Sequence, residues 1–432
     1  MNIHVVQPLD TIQSIAESYG VSVERLIQDN SLPNPGNLVI GQTIVIIYPR
    51  TTYTVKAGDT LESIANAFQI TQIQLLQNNP ELSDGNYLIE GEILVIEYDT
   101  EKDKGISTNG YVYPFVDRKV LRKTLPYLTY VTIFAYNIQG DGNVITVNVD
   151  DRDIIRMAND YGVASIMLIT SFMGSEEGSR DVAHNFLQNP QSVQRFMEVT
   201  LTILKDKGYY GVNIDANHVL YEDRQLYVEF VTSITKLLND EGFYVFVTIT
   251  PNTFENEDGV VYMGPEYAEI GNSVNKVVLL SYEWGRTVRA PGEQLTLEEI
   301  RMYLDYLSGE IPAEKLSIGI PCIGYDWELP FVRGVTNTQV LSYSSVINLA
   351  VEMESIILFD EEKQSPFFYY TSVEKGNTVE HVVWFKDARS IATMVGLVPE
   401  YGMDGIGIWN IMSYFAQFWL VVNNEYNINK VL

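Results

Sequence analysis

The segment KGYYGVNIDANHVLYEDRQLYVEF, Lys207 to Phe230, holds residues whose types and spacing could do chemistry. Asn213, Asp215 and Asn217 alternate along it, so on an extended strand their side chains share one face. Other apolar runs end in Tyr282, Glu283 and Trp284 and in Trp409, and an earlier one holds Phe134 and Tyr136. As neighbouring strand ends, these residues assemble a carboxylate pair, hydroxyls and broad aromatic faces. Rings stack on sugars while polar groups take up hydroxyl and amide substituents, so the set suits a glycan. The plainer alternative is that the rings are core, where most Tyr, Phe and Trp go.

Composition narrows the partners. A formal charge of −28 argues against nucleic acid and against docking on an anionic membrane, since both call for clustered Lys and Arg. Neutral polymers remain open, and 28 Tyr, 17 Phe and 5 Trp would serve them. One cysteine, Cys322, excludes a disulfide framework and is expected to be a small buried hydrophobe. His4, His184, His218 and His381 lack metal-ligand spacing, so no zinc site is expected. MNIHVVQPLDTI has no basic segment followed by an apolar run, so no secretory signal or membrane span is expected.

The first hundred or so residues repeat at a fixed offset: Val5–Asn30 aligns with Thr54–Asn79. Asp10-Thr11 matches Asp59-Thr60, Ile15-Ala16 matches Ile64-Ala65, Leu26 matches Leu75, and Asn30 matches Asn79. Each copy closes on an apolar strand after a glycine, IGQTIVI or EGEILVI. The pattern predicts strand, helix, helix, strand, with Asp10 and Asp59 as N-caps. The repeat, AGDTLESIANAF above all, resembles the LysM domain, which implies binding of N-acetylglucosamine-containing glycans such as peptidoglycan or chitin. A purely structural βααβ unit is the competing reading.

After a charged, aperiodic stretch at 99–108, expected to be a linker, apolar strands alternate with amphipathic helices. Strands are predicted at 110–115, 128–136, 163–172, 209–215, 244–250, 275–282, 315–321 and 405–411. Eight buried strands with intervening helices make an α/β fold, a TIM (β/α)8 barrel, whose functional side chains gather at the C-terminal strand ends. Residues 324–388 are too many for one helix and read as a small α+β insertion with a hairpin at Lys375-Gly376-Asn377. The expected domains are 1–48, 49–98 and 109–432.

The barrel resembles glycoside hydrolase family 18 through NGYVYPFVDRKVLRKTLPYLTYVTIFAYNI, KGYYGVNID, VVLLSYEWG, IPAEKLSIGIPCIGYDW and DGIGIWNI, in order across 109–432. With its paired LysM repeats the whole chain resembles spore cortical fragment-lytic enzymes of the SleL and YaaH type. That family's strand motif, Asp-x-x-Asp-x-Asp-x-Glu, falls on Tyr210, Asn213, Asp215 and Asn217. The resemblance implies that Asp215 orients the substrate's N-acetyl group, whose carbonyl oxygen attacks the anomeric carbon. It also implies that Tyr282 hydrogen-bonds that group and that Trp409 floors the sugar. The family's general-acid Glu is here Asn217, and Ala216 stands where relatives carry an aromatic residue.

A carboxamide has no proton to give near neutral pH. The expectation is a peptidoglycan-binding protein of the family 18 type, an N-acetylglucosaminidase by descent, impaired or inactive, at the spore coat or cortex. Tyr136, Asn213, Glu283, Trp284 and Trp409 would line the subsite, and no metal or organic cofactor is needed. An active retaining enzyme using Glu283 or a bound water is one alternative, and a spore-coat scaffold another. His218 is expected to be structural, and Glu222 and Asp223 to cap the next helix.

Overall fold

The computed structural model describes all residues except 85–87, 103, 147–149, 172–175, 216–218, 251, 257–258, 264–266, 281–289, 293–294, 334, 337 and 375. Each copy of the N-terminal repeat folds as strand, helix, helix, strand. The first comprises β1 (Asn2–Val5), α1 (Ile12–Tyr19), α2 (Val23–Asn30) and β2 (Thr43–Ile46). The second comprises β3 (Pro49–Thr54), α3 (Leu61–Phe68), α4 (Gln72–Asn78) and β4 (Ile93–Tyr98). In both, the two strands pair antiparallel.

The caps fall one residue later than the sequence predicts. Thr11 and Thr60 cap α1 and α3, their hydroxyls accepting the Ser14 and Ser63 N–H at 3.0 Å. Asp10 and Asp59 accept the N–H three residues back instead, from Gln7 and Lys56 at 2.7 Å. The acid closes the strand-to-helix loop, and the hydroxyl caps the helix.

Asn30 and Asn79 explain the last match of the repeat. Asn79 donates to the Leu75 and Val95 carbonyls at 2.9 and 2.7 Å and accepts the Val95 N–H at 2.8 Å. Asn30 makes the same three bonds to Leu26 and Val45. One buried amide thus ties a helix end to its strand. Asn79→Ala would strand the Val95 N–H and should lower the local opening free energy of the second module by roughly 2–4 kcal/mol. Amide hydrogen exchange at Val95 measures it, and unchanged protection would refute the role.

Eight parallel strands follow: β5 (Lys104–Val112), β6 (Tyr130–Ile138), β7 (Ala164–Thr170), β8 (Gly211–Asp215), β9 (Tyr244–Ile249), β10 (Lys276–Leu280), β11 (Leu316–Pro321) and β12 (Gly405–Trp409). Each pairs with the next, and β12 pairs with β5, so the barrel closes. Around it lie α5 (Arg118–Thr124), α6 (Arg152–Asp160), α7 (Glu176–Leu187), α8 (Pro190–Lys207), α9 (Arg224–Asp240), α10 (Tyr267–Ser273) and α11 (Leu297–Glu310). α12 (Tyr343–Glu352) belongs to the insertion, and α13 (Ala388–Tyr401) and α14 (Ala416–Glu425) complete the ring. Strand alternation divides the side chains. Val131, Ile133, Met167, Ile169, Val212 and Ile214 pack outward with helix residues such as Leu121, Ile154, Phe196 and Val231. Tyr130, Ala164, Ile166 and Phe246 fill a lower layer of the interior, and Tyr111, Leu168 and Trp409 an upper one.

Between β11 and β12 a five-stranded antiparallel sheet carries α12, and its longest hairpin turns with Glu374 opposite Asn377. Residues 104–108, expected in the linker, are instead the start of β5. A short strand, Tyr426–Ile428, pairs in parallel with Lys104–Ile106. Lys104 and Gly105 are exposed at the barrel rim, so their composition reads as linker although their backbone belongs to the sheet.

The LysM-like modules are docked on the barrel. In β2, Ile44 and Ile46 face α1 and α2, whereas Val45 and the following Ile47 enter the barrel's outer core. β4 divides alike, Leu94 and Ile96 inward and Val95 outward. Runs such as TIVI lack polar alternation because both faces are covered. Gln417 of α14, 1% exposed, donates to the Thr43 carbonyl at 2.7 Å and accepts the Thr43 hydroxyl at 2.8 Å. Tyr127 donates to the Gln77 carbonyl at 2.6 Å, and the Gln77 amide donates to the Pro126 carbonyl at 2.8 Å. Val39 packs with Val346, Ile347 and Phe368 of the insertion. Gly41 sits at φ +88°, where a Cβ would meet the Ile357 carbonyl oxygen at 2.0 Å, so the approach requires glycine.

Candidate active site

The upper interior layer ends in a polar and aromatic cluster. Asp215, the last residue of β8, is partly exposed, and the Thr170 hydroxyl at the end of β7 donates to its Oδ2 at 3.1 Å. Two residues earlier, Asn213 is fully buried. Its amide donates to the Tyr111 hydroxyl at 3.0 Å and its carbonyl oxygen accepts from the Thr248 hydroxyl, also at 3.0 Å. Burial pushes the Tyr111 hydroxyl up to about 12; the bonds from Thr248 and Asn213 pull it back, and the charge of Asp215 adds to the rise. Tyr111 therefore stays protonated at any ordinary pH.

Aromatic rings form the wall beside these groups. The Trp409 ring centroid lies 6.0 Å from Tyr111, 5.9 Å from Tyr113 and 5.6 Å from Phe134. Tyr113 in turn stacks at 5.3 Å on Phe115, which is 71% exposed, so the aromatic surface runs from the barrel interior to solvent. The peptide between Trp409 and Asn410 is cis. A partly exposed carboxylate beside a run of rings can hold a polar ring-shaped ligand by one hydrogen-bond acceptor and stacking.

Of the expected site residues, Asn213 and Trp409 meet through Tyr111, Phe134 packs on Trp409, and Asp215, two residues on from Asn213, is bound to Thr170. Asn217, with Ala216 and His218, and Tyr282, Glu283 and Trp284 lie outside the described residues. Tyr136 is not brought to this cluster. The register of β6 shifts between Ile133 and Tyr136, which breaks the strand alternation and turns Tyr136 to the outside of the barrel. There its hydroxyl donates to Asp151 and accepts from Lys207 Nζ at 2.7 Å, with the Tyr209 hydroxyl donating to Asp151 at 2.6 Å.

Asp223 also departs from expectation. It occupies the position before α9 but has helical backbone angles and makes no cap. Its buried carboxylate instead accepts from Gln188 at 2.9 Å and pairs with His184 Nδ1 at 2.7 Å, a bond that raises the His184 pKa. Tyr111, Thr170 and Thr248 were the residues sequence reasoning passed over. Strand parity could have found Tyr111, two residues before Tyr113 in GYVYPF. Neither threonine carries a signal of its own.

Residues 110–413 match the family model of glycosyl hydrolases family 18, and residues 4–46 and 53–97 each match the LysM domain. The cortical fragment-lytic enzyme of Bacillus subtilis (strain 168) is 33% identical over 436 residues, covering 100% of this chain and 99% of that protein. The cortical fragment-lytic enzyme of Bacillus anthracis is 32% identical over 438 residues, covering 100% and 99%. The crystal structure of the spore cortex-lytic enzyme SleL from Bacillus megaterium QM B1551 matches with a TM-score of 0.80 at 28% identity, over 100% of this chain and 99% of that one. Among the described residues no helix is long and apolar enough to cross a membrane. With one family model running through the barrel and another matching both modules ahead of it, the chain belongs to glycosyl hydrolases family 18 and serves in binding or hydrolysing carbohydrate.

Proposed function

We propose that this protein binds the N-acetylglucosamine-containing strands of spore peptidoglycan in its barrel cleft and turns them over slowly or not at all. What supports this reading is the pairing of an acceptor, Asp215, with a carboxamide at the position where the family resemblance puts the general acid. Asp215 stands at the strand end, held by Thr170 beside the Trp409 wall, while the residue two further along is Asn217. In this reading Asp215 accepts the N–H of the sugar's acetamido group and sets its carbonyl oxygen under the anomeric carbon. Trp409 stacks against the sugar, and Tyr113 and Phe115 extend the platform outward. Should hydrolysis occur, it would run with retention through an oxazolinium ion, because the nucleophile belongs to the substrate.

Asn217 would leave the departing oxygen without a proton donor, so binding survives and turnover falls. The two modules would hold neighbouring stretches of glycan, supported by their match to the LysM domain. The names of the relatives, cortex-lytic proteins of spore-forming bacilli, support cortex as the wall and the spore as the location. The scaffold reading is weakened by the partial exposure of Asp215, since a cleft used only for protein contacts has no need of an accessible carboxylate.

Calorimetric titration with an N-acetylglucosamine oligomer tests the binding site. Asp215→Ala should weaken binding roughly 10–100-fold, the worth of one charge-assisted hydrogen bond. Equal affinity in the two proteins would remove Asp215 from the site.

A further inference from the structure

Behind Asp215, between the barrel and α7 to α9, lies a cavity of about 40 Å3, against the roughly 10–15 Å3 that one water needs. Most of its lining is apolar: Phe186, Phe196 and Phe230 come from the helices and Ile169 and Ile214 from the strands. Four polar residues also line it, namely Thr170, Ser171, Asp215 and Tyr227. Tyr227, on the first turn of α9, is buried, and its hydroxyl makes no hydrogen bond among the described residues. A phenol hydroxyl sealed in an apolar shell without a partner is costly, and native proteins answer such a group with a partner or an ordered water. A dry cavity is expected where the lining is wholly apolar, which this one is not.

We propose that this cavity holds ordered water linking the Tyr227 hydroxyl to the Asp215 carboxylate, making Tyr227 a positioning residue that steadies Asp215 from outside the barrel. Thr170 holds Oδ2 from β7. The water-borne donor from α9 supplies a second support that keeps the carboxylate aimed. Burial and the charge of Asp215 both hold the Tyr227 proton well above its usual range, so Tyr227 is always a donor here. Tyr111, inside the barrel, also feels the charge of Asp215. The inference deepens the glycan-binding reading, because that reading makes Asp215 the group that meets the acetamido substituent.

The test reads Asp215 without glycan. Its side-chain carboxyl carbon is titrated by NMR in the full chain, with Asp215→Asn assigning the resonance. Tyr227→Phe should raise the Asp215 pKa by roughly half to one unit, since a donor to the charged form is lost. Ala183→Val, which fills the cavity from α7 and leaves Tyr227 in place, should raise it likewise. A titration unchanged in both variants, or a higher melting temperature in Tyr227→Phe as expected from deleting a dry orphan hydroxyl, overturns the proposal. If the shift appears but no glycan binds, the functional reading fails and the water link stands.

Discussion

An Asn217→Glu variant should release reducing ends from N-acetylated cortex fragments roughly 10²–10⁴ times faster than the unaltered protein. The range is the usual worth of general acid catalysis, and a sugar alkoxide is a poor leaving group without a proton. Every other part the proposed mechanism needs would already be present. Asp215 is held by Thr170, Asn213 is locked between Tyr111 and Thr248, and Trp409 stands beside them. Adding Asp215→Ala to the Glu variant should abolish the gain, because the acetamido nucleophile would lose its guide. An unaltered protein that cleaves as fast as the Glu variant would sink the argument and direct attention to another acid.

The largest stability effect should come from Asp151. Its carboxylate is buried and receives Lys207 Nζ at 2.7 Å, the Tyr209 hydroxyl at 2.6 Å and the Tyr136 hydroxyl. Burial alone would raise its pKa, but the bonds from Lys207, Tyr136 and Tyr209 outweigh that and hold it below the ordinary carboxylate range. Asp151→Asn keeps the shape and leaves the largely buried Lys207 ammonium unpaired, at a cost of about 3–5 kcal/mol. Urea unfolding at neutral pH would measure it, and a loss under about 1 kcal/mol would mean that water solvates Lys207 after all.

The depressed pKa also fixes a pH dependence. The stabilisation is fully present above the unfolded value near 4 and disappears as the pH falls through the lower folded value. Below that window the unaltered protein and Asp151→Asn should converge in stability.

Much of the architecture could be read from the residues because it rests on periodicity. Eight apolar runs with amphipathic helices between them carry their own period, and the fixed offset between Val5–Asn30 and Thr54–Asn79 announces two similar modules. What escaped was whatever depended on a single backbone step or a distant partner. Tyr136 belongs to an apolar strand end and shares parity with Phe134, but the register shift after Ile133 breaks that parity. Its real companions, Asp151, Lys207 and Tyr209, lie 15, 71 and 73 residues away. Asp10 and Asp59 sit where a cap could be, yet the adjacent threonine takes that role because the acid is already committed to its own loop. Lys104 to Thr108 read as a tether from composition, although only Lys104 and Gly105 are exposed and Ile106 to Thr108 are buried in the sheet. Of the site itself, Asn213, Asp215 and Trp409 are marked by strand ends, but Thr248 and Thr170, which bind Asn213 and Asp215, have no distinctive spacing.

The two-faced strands of the N-terminal modules also bear on the order in which the molecule can be completed. Asn30 accepts from Gln417, a partner 387 residues downstream. During synthesis the modules emerge before the barrel, each able to close its own small core, yet Val45, Ile47 and Val95 stay uncovered until the barrel exists. A nascent or truncated chain lacking α14 carries both modules complete in sequence and incomplete in structure. Excising the modules would likewise bare the barrel surface they cover, so neither fragment reports on its half as the intact chain uses it. Modules made before the barrel are thus finished by α14, a helix made after all eight barrel strands.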